Sequence, residues 1–535
     1  MIKKISYGKS SRERMVSGVD QVANAVKVTL GPKGKTVVIE SGQYGGAATV
    51  TKDGVSVAKA IHLEDRFENM GAQLTKEVAS RTADVSGDGT TTATVLAQAI
   101  VKLGMNAISN GAKPTELKKG LEFCSKAVIA DLDMNALPVL KISDVANVGM
   151  ISANNDAEIG EILAKAMDSV GIDGVVSVGR SGDDETVLEV QEGIQFSRGY
   201  IHNAFATDEA TGSVEYNNPL VLVTDLEVSA YAEILPLLDA AANLKRPLLI
   251  ICDDLKGEAL GGVVGNKQQG LLQVVAVKAP EFGEQRADAL LDLAYITGAQ
   301  FISSDNVNSL ADVRGDALGS AERISVGKKT TTIFGGKGEA ASLETHIENV
   351  RTRVGLAESD YKKEIAQKRL AALTGGIAVV RIGAKTEAEL LEKVDRVEDA
   401  LHATRAAVEE GIVPGGGLAL ANTSRAVSAS TCADGWSDGF TKGYDILLDA
   451  IRVPLETIIG NADVSFDVVD NTLSAFYGTG NTYGYNASTE EYGSLIEMGV
   501  IDPVKVTKNA VANAVSIASL VLTTECVITY AAPKS

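Results

Sequence analysis

The sequence predicts a multidomain α+β chain, helical towards both ends with an α/β segment between them. Three observations carry this. At 535 residues the chain exceeds what one hydrophobic core accommodates, and about three domains are expected. Apolar residues recur at helical spacing in the first hundred residues and again near the end of the chain. The middle instead carries short, continuously apolar runs of strand length that alternate with helical stretches.

In chain order, Val16, Val19, Val22, Ala23 and Val26 fall on one helical face, which the break Thr29-Leu30-Gly31-Pro32-Lys33-Gly34 stops. The β-rich run Thr36-Val37-Val38-Ile39, a glycine-rich turn at Gly45-Gly46 and the turn Thr51-Lys52-Asp53-Gly54 follow. Met70, Leu74 and Val78 mark a second helix leading into Gly87-Asp88-Gly89-Thr90-Thr91-Thr92 and the apolar run Ala93 to Ile100. Two glycines there allow a tight turn and close approach of a ligand. Three hydroxyls then open a helix whose first N–H groups and dipole favour an anion. Asp88 would repel a phosphate unless a cation sat between them. The stretch reads as a Mg²⁺-nucleotide cradle with Asp88 as a hard oxygen ligand. An Asp-Gly turn feeding a Thr-capped helix fits the same residues.

The runs Leu220–Val223, Leu248–Ile251 and Val274–Val277 predict a parallel sheet buried on both faces, in a domain from about Gln195 to about Leu373. Its end is charged and helical, with Ile347, Val350 and Val354 as core packing. Gly375-Gly376 breaks the pattern before the strand-like Ile377-Ala378-Val379-Val380. A helix from Glu387 to Glu410 then ends at Gly411. Pro414-Gly415-Gly416-Gly417 permits close backbone approach, and Asp502-Pro503 predicts a last helix with Asp502 as N-cap. The P-loop pattern Gly-x-x-x-x-Gly-Lys-[Ser/Thr] does not occur.

Composition narrows the function. A net charge of −20 argues against a nucleic-acid binder, which needs a basic footprint. Aromatics are only 4% and glycines number 53, so small residues must do much of the packing. Cys124, Cys252, Cys432 and Cys526 are scattered, which predicts a reducing compartment and neither zinc nor a disulfide framework. The four histidines are equally dispersed, so no transition-metal site is expected. No apolar signal core follows Met1, and the run Ala514 to Leu522 is too short to span a bilayer, so a soluble cytoplasmic protein is expected.

Taken together, five of these motifs match one family in order: Thr29–Gly34, Thr51–Gly54, Gly87–Thr92, Arg396-Val397-Glu398-Asp399-Ala400-Leu401-His402-Ala403-Thr404-Arg405 and Gly415–Gly417. Tyr483-Gly484-Tyr485-Asn486-Ala487 and Asp502-Pro503 complete the set. The sequence resembles the group I chaperonins, the bacterial GroEL-type 60 kDa family, along essentially its whole length. The resemblance implies a helical equatorial ATPase domain from residues 1–134 and 411–535. It further implies a small intermediate hinge domain, 135–192 and 376–410, and an α/β apical domain, 193–375. The implied cofactors are ATP, Mg²⁺ and K⁺. Thr29, Leu30, Gly31, Pro32, Lys52, Gly89 and Thr90 to Thr92 would hold phosphates and ions. Asp88 would bind Mg²⁺, and the carbonyls of Thr29 and Lys52 would lie near K⁺. Gly416, Ile458, Asn486, Ala487 and Asp502 would surround base and ribose, and Asp399, supported by Asp53, would orient the attacking water.

The same resemblance implies partners. Non-native polypeptides would bind Tyr200, Phe205, Leu235, Leu238, Leu260, Val263 and Val264 of the apical domain, and a GroES-type lid co-chaperonin would share that groove. Pro138 and Gly411 would form a lower hinge, and Gly193, Gly375 and Gly376 an upper one. The assembly would be a seven-membered ring, single or double, acting in a bacterial or phage-infected cytoplasm without membrane or nucleic acid. Two departures from the family pattern add expectations. Gly261, Gly262 and Gly265 stand where larger residues are usual, predicting a softer, less apolar groove. Glu456 and Ser465 stand where an arginine–glutamate pair commonly joins two rings, predicting weakened stacking.

Overall fold

The computed structural model describes residues 3–40, 48–171, 174–181, 183–207, 212–306, 309–356, 359–430, 436–476 and 481–530. The turn expected at Gly45-Gly46, and Cys432, lie outside the described residues. The chain divides into two compact units, one of residues 1–165, 180–185 and 382–535, the other of 166–179 and 186–381.

In the first unit the two ends of the chain join. Strand Lys3–Tyr7 pairs antiparallel with Cys526–Tyr530, Tyr7 opposite Cys526. The core is helical, built chiefly from Gly8–Lys27, Arg66–Ser86, Thr90–Ser109, Pro114–Met134, Asp438–Ala450 and Val504–Thr523. Its packing explains the scarcity of aromatics. A Cβ on Gly18 would sit 1.8 Å from the Glu68 carbonyl oxygen, and one on Gly71 would sit 1.9 Å from that of Met15, so helices Gly8–Lys27 and Arg66–Ser86 touch backbone to backbone. Gly120 and Gly443 bring Pro114–Met134 and Asp438–Ala450 together in the same way. Val504–Thr523 is long and apolar enough to cross a membrane by length and composition, but Val504, Val511, Ala514, Ala518 and Val521 are core residues here.

Asp502 does not cap that helix, contrary to the sequence reading. Pro503 holds the N-cap position without a side-chain cap, because Asp502 belongs to the short strand Ile501–Pro503 paired with Ile412–Pro414. The helix Glu387–Glu410 ends as expected, at Gly411 with φ +87°.

The second unit is built on a mixed sheet in the order Val274–Lys278, Leu248–Cys252, Leu220–Thr224, Gly319–Val326, Thr331–Gly336, Val187–Phe196, Gly376–Ile382, Val175–Arg180. The three apolar runs of the middle are its parallel strands, fully buried apart from Lys278. The remainder is largely antiparallel, so the sheet is not parallel throughout. The unit also reaches further in sequence than 195–373, because Val175–Arg180, Val187–Phe196 and Gly376–Ile382 join the same sheet. Helix Asp360–Thr374 packs on strand Val187–Phe196, and Ala340–Gly355 packs on Asp360–Thr374; Val350 is in the core as expected, with Ile347 against it, whereas Val354 is half-buried outside it.

Candidate functional site

The first unit encloses a cavity of about 900 Å³, and its walls are the polar, glycine-bearing turns singled out above. The cradle supplies the floor. Gly87 (φ +72°) ends helix Arg66–Ser86, and Gly89 (φ +83°) stands at the N-cap of Thr90–Ser109 with no side-chain cap bond. The Thr-capped alternative is therefore not the one that forms, and the helix N-terminus is left for an anion. Both glycines are also required by space: a Cβ on Gly87 would lie 2.0 Å from the Cβ of His402, and one on Gly89 would lie 2.6 Å from Val506 Cγ1. Since His402 packs on the cradle, Asp399, nearly one turn earlier on the same helix, also faces the cavity.

Every residue expected to hold a nucleotide lines this one cavity. Thr29, Leu30, Gly31 and Pro32 come from the turn after the first helix, where Thr29 Oγ1 donates to the Val26 carbonyl at 2.9 Å. Asn461 Nδ2 donates to the carbonyls of Lys27 and Leu30, both at 2.9 Å, fixing that turn against Ile458. Lys52 and Asp53 follow, and Asp53 caps helix Gly54–Ala60 by accepting from the N–H groups of Val55 (3.0 Å) and Ser56 (2.7 Å). Gly416 and Asp502 meet across the cavity wall, the Gly416 N–H donating to the Asp502 carboxylate. Asn486 and Ala487 complete the far side, with Asn486 Oδ1 accepting from the Ser488 N–H at 2.9 Å.

The cavity gathers several desolvated acidic side chains. Asp88 is desolvated and lies near Asp53, which raises its pKa despite hydrogen bonds from Ser152 and Gly89. Burial, then the carboxylates of Asp88, Asp53, Asp395 and Glu398, push Asp399 up to about 9. Burial and Asp88 push Asp502 up to about 7. Burial and crowding disfavour ionising these carboxyls without a counter-charge, and a bound cation would supply that charge as the protons leave.

The residues expected to contact polypeptides are placed differently. Phe205, Leu238 and Val263 are at most 1% exposed and Tyr200 is buried, so all four belong to the core of the second unit. The apolar surface there comes from Leu235, which is exposed, and from Leu260 and Val264, which are half-buried. Of the glycines expected at hinges, Gly193 lies in strand Val187–Phe196 opposite Phe334, and Gly376 opens the neighbouring strand, opposite Glu192. Gly375 caps helix Asp360–Thr374. Pro138 follows Leu137, which forms a bridge to Ile412 just beyond Gly411.

The sequence reading missed one wall of the cavity, the turn after helix Ile142–Ser152, together with Asp395, and gave no role to Arg396, which it named only within a motif. Ser152 Oγ donates to Asp88 Oδ2 at 2.7 Å, and Asn154 and Asn155 line the cavity with φ +58° and +66°. The consecutive asparagines, which tolerate left-handed backbone, were the only local signal of this turn.

A family model described as the TCP-1/cpn60 chaperonin family matches residues 22–531. Among solved structures, the fold is similar to the chaperonin gp146 from the bacteriophage EL 2 (Pseudomonas aeruginosa), crystallised in the presence of ATP-BeFx. One crystal form gives a TM-score of 0.74 at 21% identity, covering 99% of both chains. A second form gives 0.68 at 21% identity, again over 99% of both.

Proposed function

The chain belongs to the TCP-1/cpn60 chaperonin family, and from that premise we propose that it is an ATP-hydrolysing molecular chaperone that captures non-native proteins and promotes their folding inside a ring. The observation that carries the reading is the cavity: an uncapped helix N-terminus at Thr90, with Asp88 and Asp399 on the same wall. Phosphoryl transfer needs positioning and charge neutralisation more than covalent chemistry, and these are what the cavity offers.

The residues fit a hard cation. Asp88 is a desolvated carboxylate facing other carboxylates, with only neutral donors bound to it. Among the described residues no group of three or more His, Cys, Asp and Glu is arranged to hold a metal ion. Asp88 would be the carboxylate ligand for Mg²⁺, with phosphate oxygens and waters completing the shell. The ion would neutralise phosphate charge and relieve the repulsion around Asp399. Lys52 and Thr29 would turn carbonyls towards K⁺, the Thr90–Thr92 N–H groups would grip phosphate, and Gly416, Ile458, Asn486, Ala487 and Asp502 would enclose base and ribose. Asp399 would orient the attacking water.

Three domains, with the nucleotide-binding segments from both chain ends and the polypeptide-binding segment inserted between hinges, would convert hydrolysis into capture and release. Leu235, Leu260 and Val264 would be the first contacts for unfolded chains, and a lid co-chaperonin would compete for them. The seven-membered ring and a cytoplasmic setting belong to the same proposal.

The test is a pair of substitutions followed by calorimetry and phosphate release. Asp399→Ala should bind ATP with Mg²⁺ normally and hydrolyse it at least about a hundredfold more slowly. Asp88→Ala should lose the Mg²⁺-dependent part of nucleotide binding. Wild-type turnover in the first variant, or undiminished binding in the second, would sink the respective assignment.

A further inference from the structure

We propose that Ser152 is the positioning residue for Asp88, and that the turn carrying it makes cation binding at Asp88 respond to the helix that bears Asp399. The proposal rests on the reading of Asp88 as the metal ligand. Both oxygens of Asp88 receive a hydrogen bond: Oδ1 from the adjacent Gly89 N–H at 2.5 Å, and Oδ2 from Ser152 Oγ at 2.7 Å. The first bond is local to the cradle. The second comes from 64 residues away and is the contact that ties the carboxylate to another element. A hydroxyl suits the task because it is neutral. It orients the carboxylate without the positive charge by which a lysine would displace a cation, and two donors leave lone pairs on the carboxylate for a metal.

Ser152 is itself held. It is the last residue of helix Ile142–Ser152, and the chain leaves through Asn154 and Asn155, both left-handed. Two such residues in succession are strained and persist only where neighbours determine them. The Asn155 N–H donates to the Met150 carbonyl at 2.8 Å, and the Asn154 N–H donates to that of Ile151 at 3.1 Å. Arg396 then clamps the turn from outside, its Nη1 donating to the Ala153 carbonyl at 3.4 Å and to Asp156 Oδ2 at 3.0 Å. Arg396 lies three residues before Asp399 on the helix Glu387–Glu410. A continuous path therefore runs from the Asp399 helix through Arg396, the strained turn and Ser152 to the Asp88 carboxylate.

The test titrates Mg²⁺ against ADP binding by calorimetry, so that no hydrolysis is needed. In Ser152→Ala, half-maximal ADP binding should need on the order of tenfold more Mg²⁺, the usual cost of losing a residue that orients a metal ligand. Metal-free ADP binding should stay at its wild-type level, and Ser152→Thr, which keeps the hydroxyl, should restore the wild-type titration. Arg396→Gln should move the titration in the same direction by a smaller factor. If Ser152→Ala melts below wild type, Ser152→Cys, close in size and a poor donor, carries the comparison. A wild-type Mg²⁺ titration in folded Ser152→Ala or Ser152→Cys overturns the positioning role, and one in Arg396→Gln overturns the link to the Asp399 helix. An Asp88→Ala protein that keeps the wild-type titration instead locates the failure in the Asp88 reading and removes this proposal with it.

Discussion

Asp399 illustrates how one side chain serves function against stability. Its carboxyl is raised to about 9 by burial and by four neighbouring carboxylates, so the ionised form is disfavoured in the folded, metal-free protein. The sign follows from linkage: the folded state retains a proton that the unfolded state releases near 3.8, so this contribution is full below that value and is lost as pH rises towards 9. Asp399→Asn removes the charge and keeps the shape. Without Mg²⁺ or nucleotide it should melt above wild type at pH 8.5, by on the order of a few degrees, and the gap should narrow at pH 5.5. A gap that widens on acidification would contradict the burial argument. The same residue shows what a sequence discloses. The cradle was legible because six consecutive residues, Gly87 to Thr92, state its chemistry locally. Ser152 was not, since its role consists of one hydrogen bond to a residue 64 positions away. Asp502 was misread for a related reason. Asp-Pro before an apolar helix has the local pattern of a cap, and only its pairing with Val413 reveals a strand residue.

Among the elements, the helix Gly257–Gln268 carries Gly261, Gly262 and Gly265 in its interior. Its glycines are not equivalent. A Cβ at Gly261 or Gly265 would meet open space, whereas one at Gly262 would fall 2.3 Å from Cδ2 of Tyr231. Tyr231 lies over the helix there and its hydroxyl accepts from Asn266 Nδ2 at 2.9 Å. The softness read from the three glycines therefore applies at two positions, while the third is a seat for an aromatic ring from the neighbouring helix. Gly261→Ala and Gly265→Ala should each stabilise the second unit by about 0.5–1 kcal/mol, the helix-propensity difference. Gly262→Ala should destabilise it, and Tyr231→Ala in the same chain should relieve part of the loss, the coupling expected of residues in contact. Chemical denaturation of the four proteins checks both signs. Equal effects at the three glycines would show that Tyr231 does not occupy the seat. Helices and buried strands were the legible part of the fold, since their periodicity is written in neighbouring residues. The antiparallel half of the sheet was not, because cross-strand partners such as Gly193 and Phe334 lie far apart in sequence.

At the scale of the whole molecule, the joining of the two chain ends follows from no local pattern, only from the register that sets Lys3 against Tyr530 and Tyr7 against Cys526. That pairing also bears on assembly. The two-stranded sheet leaves Ile5, Tyr7, Ile528 and Tyr530 exposed, and the hairpin Val37–Ile39 with Thr49–Thr51 leaves Val38 and Val50 exposed. Two-stranded ribbons are marginal alone, and open edges invite further pairing. Neighbouring copies in the proposed ring would cover such surfaces. Stacking of two rings is a separate question, because Glu456 and Ser465, both exposed, offer no opposite charge to a second ring at those positions. Native mass spectrometry of the purified protein should therefore show a species of seven 55.7 kDa copies, with any fourteen-copy species a minor partner that Mg-ATP reduces further. Introducing Glu456→Arg together with Ser465→Glu should raise the fourteen-copy fraction, and added salt should lower it again. A monomer with and without Mg-ATP would leave the exposed strands without partners and refute encapsulation. A fourteen-copy species that dominates in the unaltered chain would instead mean that contacts other than this charge pair hold the rings together.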